Sequence, residues 1–143
     1  MKSMRIMIDT NIIVSAVLLP HSKTRIIMND IMKNHIVIIS SYVLAELNRV
    51  FQKKFIKFKI ELNKFLLSNE FEFFHISLSK NLNDIPYIRD KKDYPILVSF
   101  IKSEADLLVT GDNDYFTPEL EKYNIIKPND YFNLYMNENV CDR

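Results

Sequence analysis

The 143 residues are about one domain's length, and a chain of that size buries roughly two-thirds of the surface its unfolded form exposes. Hydrophobic residues at 48% and charged residues at 26% fit a globular protein and exclude a disordered chain; the single glycine, Gly111, excludes the glycine-rich loops that cradle nucleotide phosphates. A net charge of +1 conceals an asymmetry, because residues 21–64 carry nine basic against three acidic side chains and residues 65–143 carry eight basic against fourteen acidic.

The lone Cys141 has no partner for an intramolecular disulfide, which points to a reducing compartment. The longest apolar stretch, Ile12 to Pro20, is too short to span a bilayer and has no basic segment before it, so no membrane attachment is expected and the cytoplasm is the expected location. The charge asymmetry could place a phosphate-tracking surface beside a metal-collecting one; solvated helix faces in a lysine-rich protein explain the basic run equally well.

In chain order, Arg5 to Ile8 reads as a short buried strand, and Asp9-Thr10-Asn11 carries the capping chemistry to start a helix through about Leu19, stopped by Pro20. Thr24 to Lys33 repeats Ile27 and Ile31 at helical spacing. The β-branched run Ile36 to Ile39 is a second strand. Ser40 and Ser41 cap a helix from Tyr42 towards Lys54, with Val43, Leu44, Leu47, Val50 and Phe51 on its apolar face and Glu46 in its second turn. Glu61 to Ser68 is expected to be helical, Phe71 to Ile76 a strand and Leu78 to Arg89 an irregular connection. Asp93 caps a helix from Tyr94 to about Glu104, with Pro95 in its first turn, and Leu107 to Val109 is a strand ending in the turn Thr110-Gly111-Asp112. Ile125-Ile126 is a last strand and Pro128 opens a terminal helix. Short apolar strands separated by helices predict a single α/β domain over residues 1–143, a three-layer α/β/α arrangement around a central, mostly parallel sheet.

Ligands of such sheets sit beyond the carboxyl ends of the strands, and here acids follow the strands. Asp9 ends the first, Glu46 lies just past the second and Asp112 follows Val109. A helix over 94–104 descends about 16 Å and residues 106–110 climb back about 16 Å, which returns Asp93 and Asp112 to one rim. Each acid alone could be a cap, a turn residue or a helix-surface ion-pair partner. Gathered together they repel by about 4 kcal/mol per pair at 4 Å and an effective dielectric near 20. A divalent cation would offset this, and an all-oxygen donor set favours Mg²⁺ or Mn²⁺ over zinc. Such a site suits hydrolysis of a phosphodiester, with Thr10, Asn11 and Thr110 orienting the acids.

The segments Met7-Ile8-Asp9-Thr10-Asn11-Ile12, Ser40-Ser41-Tyr42-Val43-Leu44-Ala45-Glu46-Leu47, Asp90-Lys91-Lys92-Asp93 and Ala105-Asp106-Leu107-Leu108-Val109-Thr110-Gly111-Asp112 stand in the order of the motifs of PIN-domain ribonucleases, which the chain resembles over nearly its whole length. It is most similar to the subgroup described as toxin components of toxin–antitoxin systems (VapC-like). The resemblance implies that Asp9, Glu46, Asp93 and Asp112 are catalytic metal-binding acids, supported by Thr10, Asn11, Thr110 and Asp114. It further implies a Mg²⁺- or Mn²⁺-dependent endoribonuclease acting on RNA as a toxin, a cognate antitoxin and a homodimer as partners, and no membrane. Asp90 and Asp93 both precede the helix, and Asp93 is preferred as the nearer to its start. The terminal aromatics Tyr131, Phe132 and Tyr135 could serve a dimer, although packing within the chain explains them as well.

Two other readings stand beside this one. In a haloacid-dehalogenase-type phosphatase Asp9 would be a nucleophile, but Asn11 stands where that chemistry wants an acid. A non-catalytic module would keep the fold and hold RNA or protein. His21, His35 and His75 lack metal-ligand spacing and read as surface or satisfied core residues. Phe51, Phe55 and Phe58, interleaved with lysines, fit a buried helix face better than a base-stacking platform, and Phe71, Phe73 and Phe74 read as core.

Overall fold

The computed structural model describes residues 2–76, 85–88 and 90–137. Cys141 and most of the expected 78–89 connection lie outside the described residues. Five strands, β1 (Arg5–Ile8), β2 (Ile36–Ser40), β3 (Phe71–Phe74), β4 (Leu107–Val109) and β5 (Ile125–Ile126), form one sheet in the order β3-β2-β1-β4-β5. Every pairing is parallel, with Ile6 opposite Val37 and Leu107, and Met7 opposite Ile38 and Leu108. Successive residues of a strand point to opposite faces, so the complete burial of Ile6, Met7 and Ile8 means that both faces of the central strand are covered. The helices supply that cover, and the protein is a three-layer α/β/α sandwich around a parallel sheet.

The helices are α1 (Thr10–Leu18), α2 (Lys23–Asn34), α3 (Ser41–Lys54), α4 (Lys59–Ser68), α5 (Tyr94–Lys102) and α6 (Pro128–Tyr131), the last continued by a π-helical turn over Phe132–Met136. Three of them open on the side-chain caps their sequences offer. Asp9 accepts from the Thr10 N–H, Ser22 from the Arg25 N–H and Ser40 from the Val43 N–H. Among the described residues no helix is long and apolar enough to cross a membrane.

Several local expectations change. Asp93 does not cap α5; its backbone is already helical, at φ −85° and ψ −10°, and its side chain makes no cap bond. A 3₁₀ turn over Lys91–Asp93 precedes the helix, and Asp90 caps that turn by accepting from the Lys92 N–H at 2.9 Å. The carboxyl of Asp93 is thereby released from capping. At the other end α5 stops at Lys102 rather than Glu104, because Glu104 takes the left-handed conformation, φ 56°, that reverses the chain towards β4. A glycine would be less strained there.

The only glycine is elsewhere and is not required where it stands. Gly111 has no positive φ, and a Cβ added to it would meet nothing within 4 Å. Gly111→Ala is expected to fold normally and to gain about 0.4–1 kcal/mol through the lower entropy of its unfolded chain, measured as a higher urea midpoint with unchanged slope.

Phe73 is 56% exposed rather than core, since β3 is the outer strand of the sheet and its far end is not fully covered. Phe58 is 41% exposed, while Phe51 is buried as its helical spacing predicts. His21 and His75 are on the surface, and His35 is buried. The His35 Nδ1 accepts from the Met4 N–H, but its buried Nε2 has no hydrogen-bond partner among the described residues, which leave the core histidine half satisfied. The aromatics of α6 are engaged within the chain. Tyr131 is fully buried, donates to Asp30 at 2.8 Å and packs on Tyr135 at 5.0 Å between ring centres, while Lys23 lies over Phe132.

Candidate active site

The order of the sheet dictates where a site can form. From β1 the chain steps outward to β2 and β3, then returns to place β4 on the other flank of β1. The loops leaving the carboxyl ends of β1 and β4 therefore diverge, opening the crevice where parallel α/β sheets bind ligands. Asp9 and Thr110 leave those two ends. The Asp9 N–H donates to the Val109 carbonyl at 3.1 Å, which fixes one loop against the other.

Asp9 is 5% exposed, and both its oxygens are in use. Oδ1 accepts from the Thr10 N–H at 2.7 Å and Oδ2 from the Thr110 hydroxyl at 2.6 Å. Burial pushes this carboxyl above the usual carboxylate range, the Thr110 and Thr10 hydrogen bonds pull it back, and Glu46 and Asp112 push it up again. The Thr110 hydroxyl also accepts from the Asp112 N–H at 3.1 Å, so one buried oxygen links two acids. Thr110→Val keeps the shape and deletes that link; a loss of about 10- to 100-fold in metal affinity or activity is expected, with Thr110→Ser restoring most of it. Metal titration of the folded variants measures this.

The neighbouring acid is held in a similar way. The Thr10 hydroxyl donates to Glu46 Oε1, while Glu46 Oε2 faces the Arg49 guanidinium at 3.5 Å. One turn of α3 earlier, burial and then the Glu46 carboxylate push the Tyr42 hydroxyl above its ordinary range. Asn11, unlike the buried Thr10 before it, is exposed.

On the opposite flank stands Asp93. Burial, a hydrogen bond with Asp112, and the charges of Asp112, Asp9 and Asp90 push its carboxyl up to about 8. Its Oδ2 is buried and has no hydrogen-bond partner among the described residues. Asp112 Oδ1 accepts from the Asp114 N–H at 2.9 Å. Carboxylate oxygens of Asp90, Asp93 and Asp114 lie within 4.8 Å of one another. The acids thus form a chain rather than a single knot: Glu46 reaches Asp9 through Thr10, Asp9 reaches Asp112 through Thr110, and Asp112 meets Asp93, beside which Asp90 and Asp114 converge. Asp90 joins the cluster as well as capping its turn.

Sequence reasoning passed over Tyr115. It is 1% exposed and donates its hydroxyl to the Asp93 carbonyl at 3.1 Å, pinning the turn before α5 to the turn after β4. Burial and the surrounding carboxylates push this hydroxyl far up, so it remains a donor. Its position three residues beyond Asp112, in the 3₁₀ turn Asn113–Tyr115 that Asp112 caps, was the available signal.

The donor set fits a hard divalent cation. It is made of oxygens alone, it concentrates negative charge in a half-buried crevice, and Asp93 Oδ2 is a buried acceptor to which no described residue donates.

The PIN domain family model matches residues 5–114, and the chain belongs to the PIN domain family. Among solved structures, a chain in the crystal structure of VapBC2 from Rickettsia felis bound to a DNA fragment from their promoter is similar with a TM-score of 0.65 and 25% identity, over 87% of this chain and 98% of that one. The structure of the PIN domain endonuclease Utp24 matches with a TM-score of 0.45 and 20% identity, over 77% of this chain and 72% of that one. Comparison with curated protein sequences gives no match.

Proposed function

We propose that this chain is a Mg²⁺- or Mn²⁺-dependent endoribonuclease that hydrolyses phosphodiester bonds of RNA in the cytoplasm, acting as the toxin of a pair with a cognate antitoxin. The observation that carries the reading is the buried Asp93 oxygen, without a hydrogen-bond partner among the described residues, beside the carboxylates of Asp90 and Asp114 in a PIN domain. The similarity to a VapBC2 chain supports the antitoxin partner. The haloacid-dehalogenase alternative loses its support with the family assignment.

Asp9, Glu46, Asp93 and Asp112 would hold the cation, with Asp90 and Asp114 extending the set. When bound, a divalent ion neutralises charge on the phosphodiester and lowers the pKa of an attacking water. The chain's own contribution is preparation. Thr10 and Thr110 hold Glu46 and Asp9 in place, so that no rotamer need be fixed during the reaction. Burial and the neighbouring carboxylates favour the protonated form of Asp93, and a bound cation would favour its charged form. Burial of Asp9 and Thr10 keeps water from competing for these oxygens.

The test is cleavage of a labelled single-stranded RNA by the purified protein with Mg²⁺, with Mn²⁺ and with EDTA. Internal cuts that require the cation are expected. Cuts that persist in EDTA and in both Asp9→Asn and Asp112→Asn would refute the metal-site reading, and RNA binding without any cut would make the protein a non-catalytic member of its fold.

A further inference from the structure

On the α3 side of the acid rim, Tyr42, Ala45, Glu46, Arg49 and Lys92 line a cleft of about 450 Å³. Two elements build it. Residues 42, 45, 46 and 49 occupy one stripe of α3, because positions three and four apart share a helix face. Lys92 comes from the 3₁₀ turn before α5 and is the sequence neighbour of Asp93. One wall of the cleft is therefore Glu46, part of the acid rim itself, and the other walls present two cations and a ring.

Among the described residues neither cation is locked in a close ion pair. Arg49 is 59% exposed and meets Glu46 only at 3.5 Å, an exposed geometry that contributes little to stability and leaves most guanidinium N–H groups open to a second anion. Lys92 is exposed at the cleft. The other basic residues of α3 do not line the cleft. Lys53 and Lys54 end the helix, about 10 Å along its axis from Glu46. The cleft's volume falls within the range of about 300–1,000 Å³ usual for small-ligand sites.

An acidic rim repels nucleic acid, so affinity must come from cations placed beside it. Resting on the ribonuclease reading, we propose that this cleft is a phosphate subsite in which Arg49 and Lys92 bind the backbone phosphate next to the scissile bond of single-stranded RNA, with the Tyr42 ring against the adjoining nucleotide. A guanidinium fork and an ammonium suit a phosphate that must be held while its neighbour reacts. An aromatic wall accepts any base, so the subsite gives position more than sequence preference.

The test measures binding and turnover separately. Anisotropy of a fluorescein-labelled single-stranded RNA in Ca²⁺, across a salt series, is compared for the wild type, Arg49→Gln, Lys92→Gln, the double variant and Lys53→Gln; steady-state cleavage in Mn²⁺ is followed in parallel, and the same DNA sequence serves as a second probe. The double variant is expected to weaken binding and raise KM about tenfold, with a smaller fall in kcat that Arg49→Gln shares through its contact with Glu46 and Lys92→Gln does not, and to reduce the slope of log K against log salt by about 0.7 for each phosphate charge that the protein no longer neutralises. Lys53→Gln, which removes a single charge as Arg49→Gln does, should change neither. Equal effects from Lys53→Gln, or unchanged affinity and slope in the double variant, overturn the subsite; the latter assigns the two cations to another anion, such as an acidic segment of a partner protein. Altered binding without any wild-type cleavage would leave the subsite standing and remove the nuclease reading. Cleavage with unaltered binding would do the reverse.

Discussion

Asp9→Asn is expected to lower RNA cleavage about 10³-fold in saturating Mn²⁺ while leaving the fold intact. A divalent ion supplies several kcal/mol of charge stabilisation to phosphodiester hydrolysis, and each 1.36 kcal/mol is tenfold in rate. The substitution keeps the Thr10 N–H bond to the side-chain oxygen, so α1 stays capped. It replaces the other oxygen with an amide N–H₂ facing the Thr110 hydroxyl, which loses the acceptor for its proton and must turn, so the oxygen that also accepts from the Asp112 N–H is reoriented. One change therefore removes a charge and also disturbs the presentation of a second acid. For that reason Asp9→Asn, Asp112→Asn and the double variant should lose activity by similar factors rather than multiply, as expected of groups that act as a unit. Single-turnover rates with far-ultraviolet circular dichroism as the folding control test this. A loss below tenfold in the folded Asp9→Asn protein would remove Asp9 from the site.

The parts of this structure that were legible in the sequence are those in which one local signal dominates. Ile6, Met7 and Ile8 have to be buried on both sides of a sheet, and an uninterrupted apolar run ending in Asp-Thr can be read as a strand, a cap and a helix at once. The Ser40 cap and the face of α3 were equally plain. The site was legible as far as its rim, because parallel strands bring everything that follows them to the same edge. Its internal wiring was not. A residue before a helix normally caps it, and only the 3₁₀ turn over Lys91–Asp93 shows that Asp90 has taken that task and released Asp93. Tyr115 offered no motif, since its importance comes from a carbonyl twenty-two residues away. Gly111 suggested a special turn that the backbone does not need, whereas the left-handed position is filled by Glu104, which no propensity favours.

The charge asymmetry also resolves in an unexpected way. Most lysines of the basic segment stand in the last turn of α3 and beyond it and are exposed, as a solvated face would be. Arg49 alone among the basic residues of α3 lines the cleft beside Glu46, and its companion there, Lys92, comes from the acidic half of the chain. The segment totals therefore mislead about geometry: beside the acid rim lies a cation from each half of the chain.

Asp93→Asn should have opposite effects on activity and on the stability of the metal-free protein. Asp93 titrates at about 8 in the fold against an ordinary 3.8, because burial and the neighbouring carboxylates disfavour its charge. A carboxyl raised on folding stabilises the native state while protonated; that contribution is fully present below about pH 4 and is lost as the pH climbs through the folded value. The metal-free wild type should thus lose thermal stability from about pH 4 to pH 8, with Asp9, raised in the same direction, adding to the slope. Asparagine at position 93 carries no charge to repel Asp112, so the variant should flatten this slope. With screening discounted for a half-buried group, the gain at pH 7.5 is on the order of 1 kcal/mol, or roughly 3–5 °C in Tm. A cation reverses the order, because binding at one hundred times Kd adds about 2.7 kcal/mol to the wild type, whereas the variant has lost a ligand oxygen and gains less. In Mn²⁺, therefore, the wild type should melt above Asp93→Asn, and without metal below it. Melting curves of both proteins at pH 5 and pH 7.5, with EDTA and with Mn²⁺, decide the matter. Parallel pH slopes in EDTA, or the same order of Tm in both conditions, would show that Asp93 is neither strained by its neighbours nor relieved by a cation.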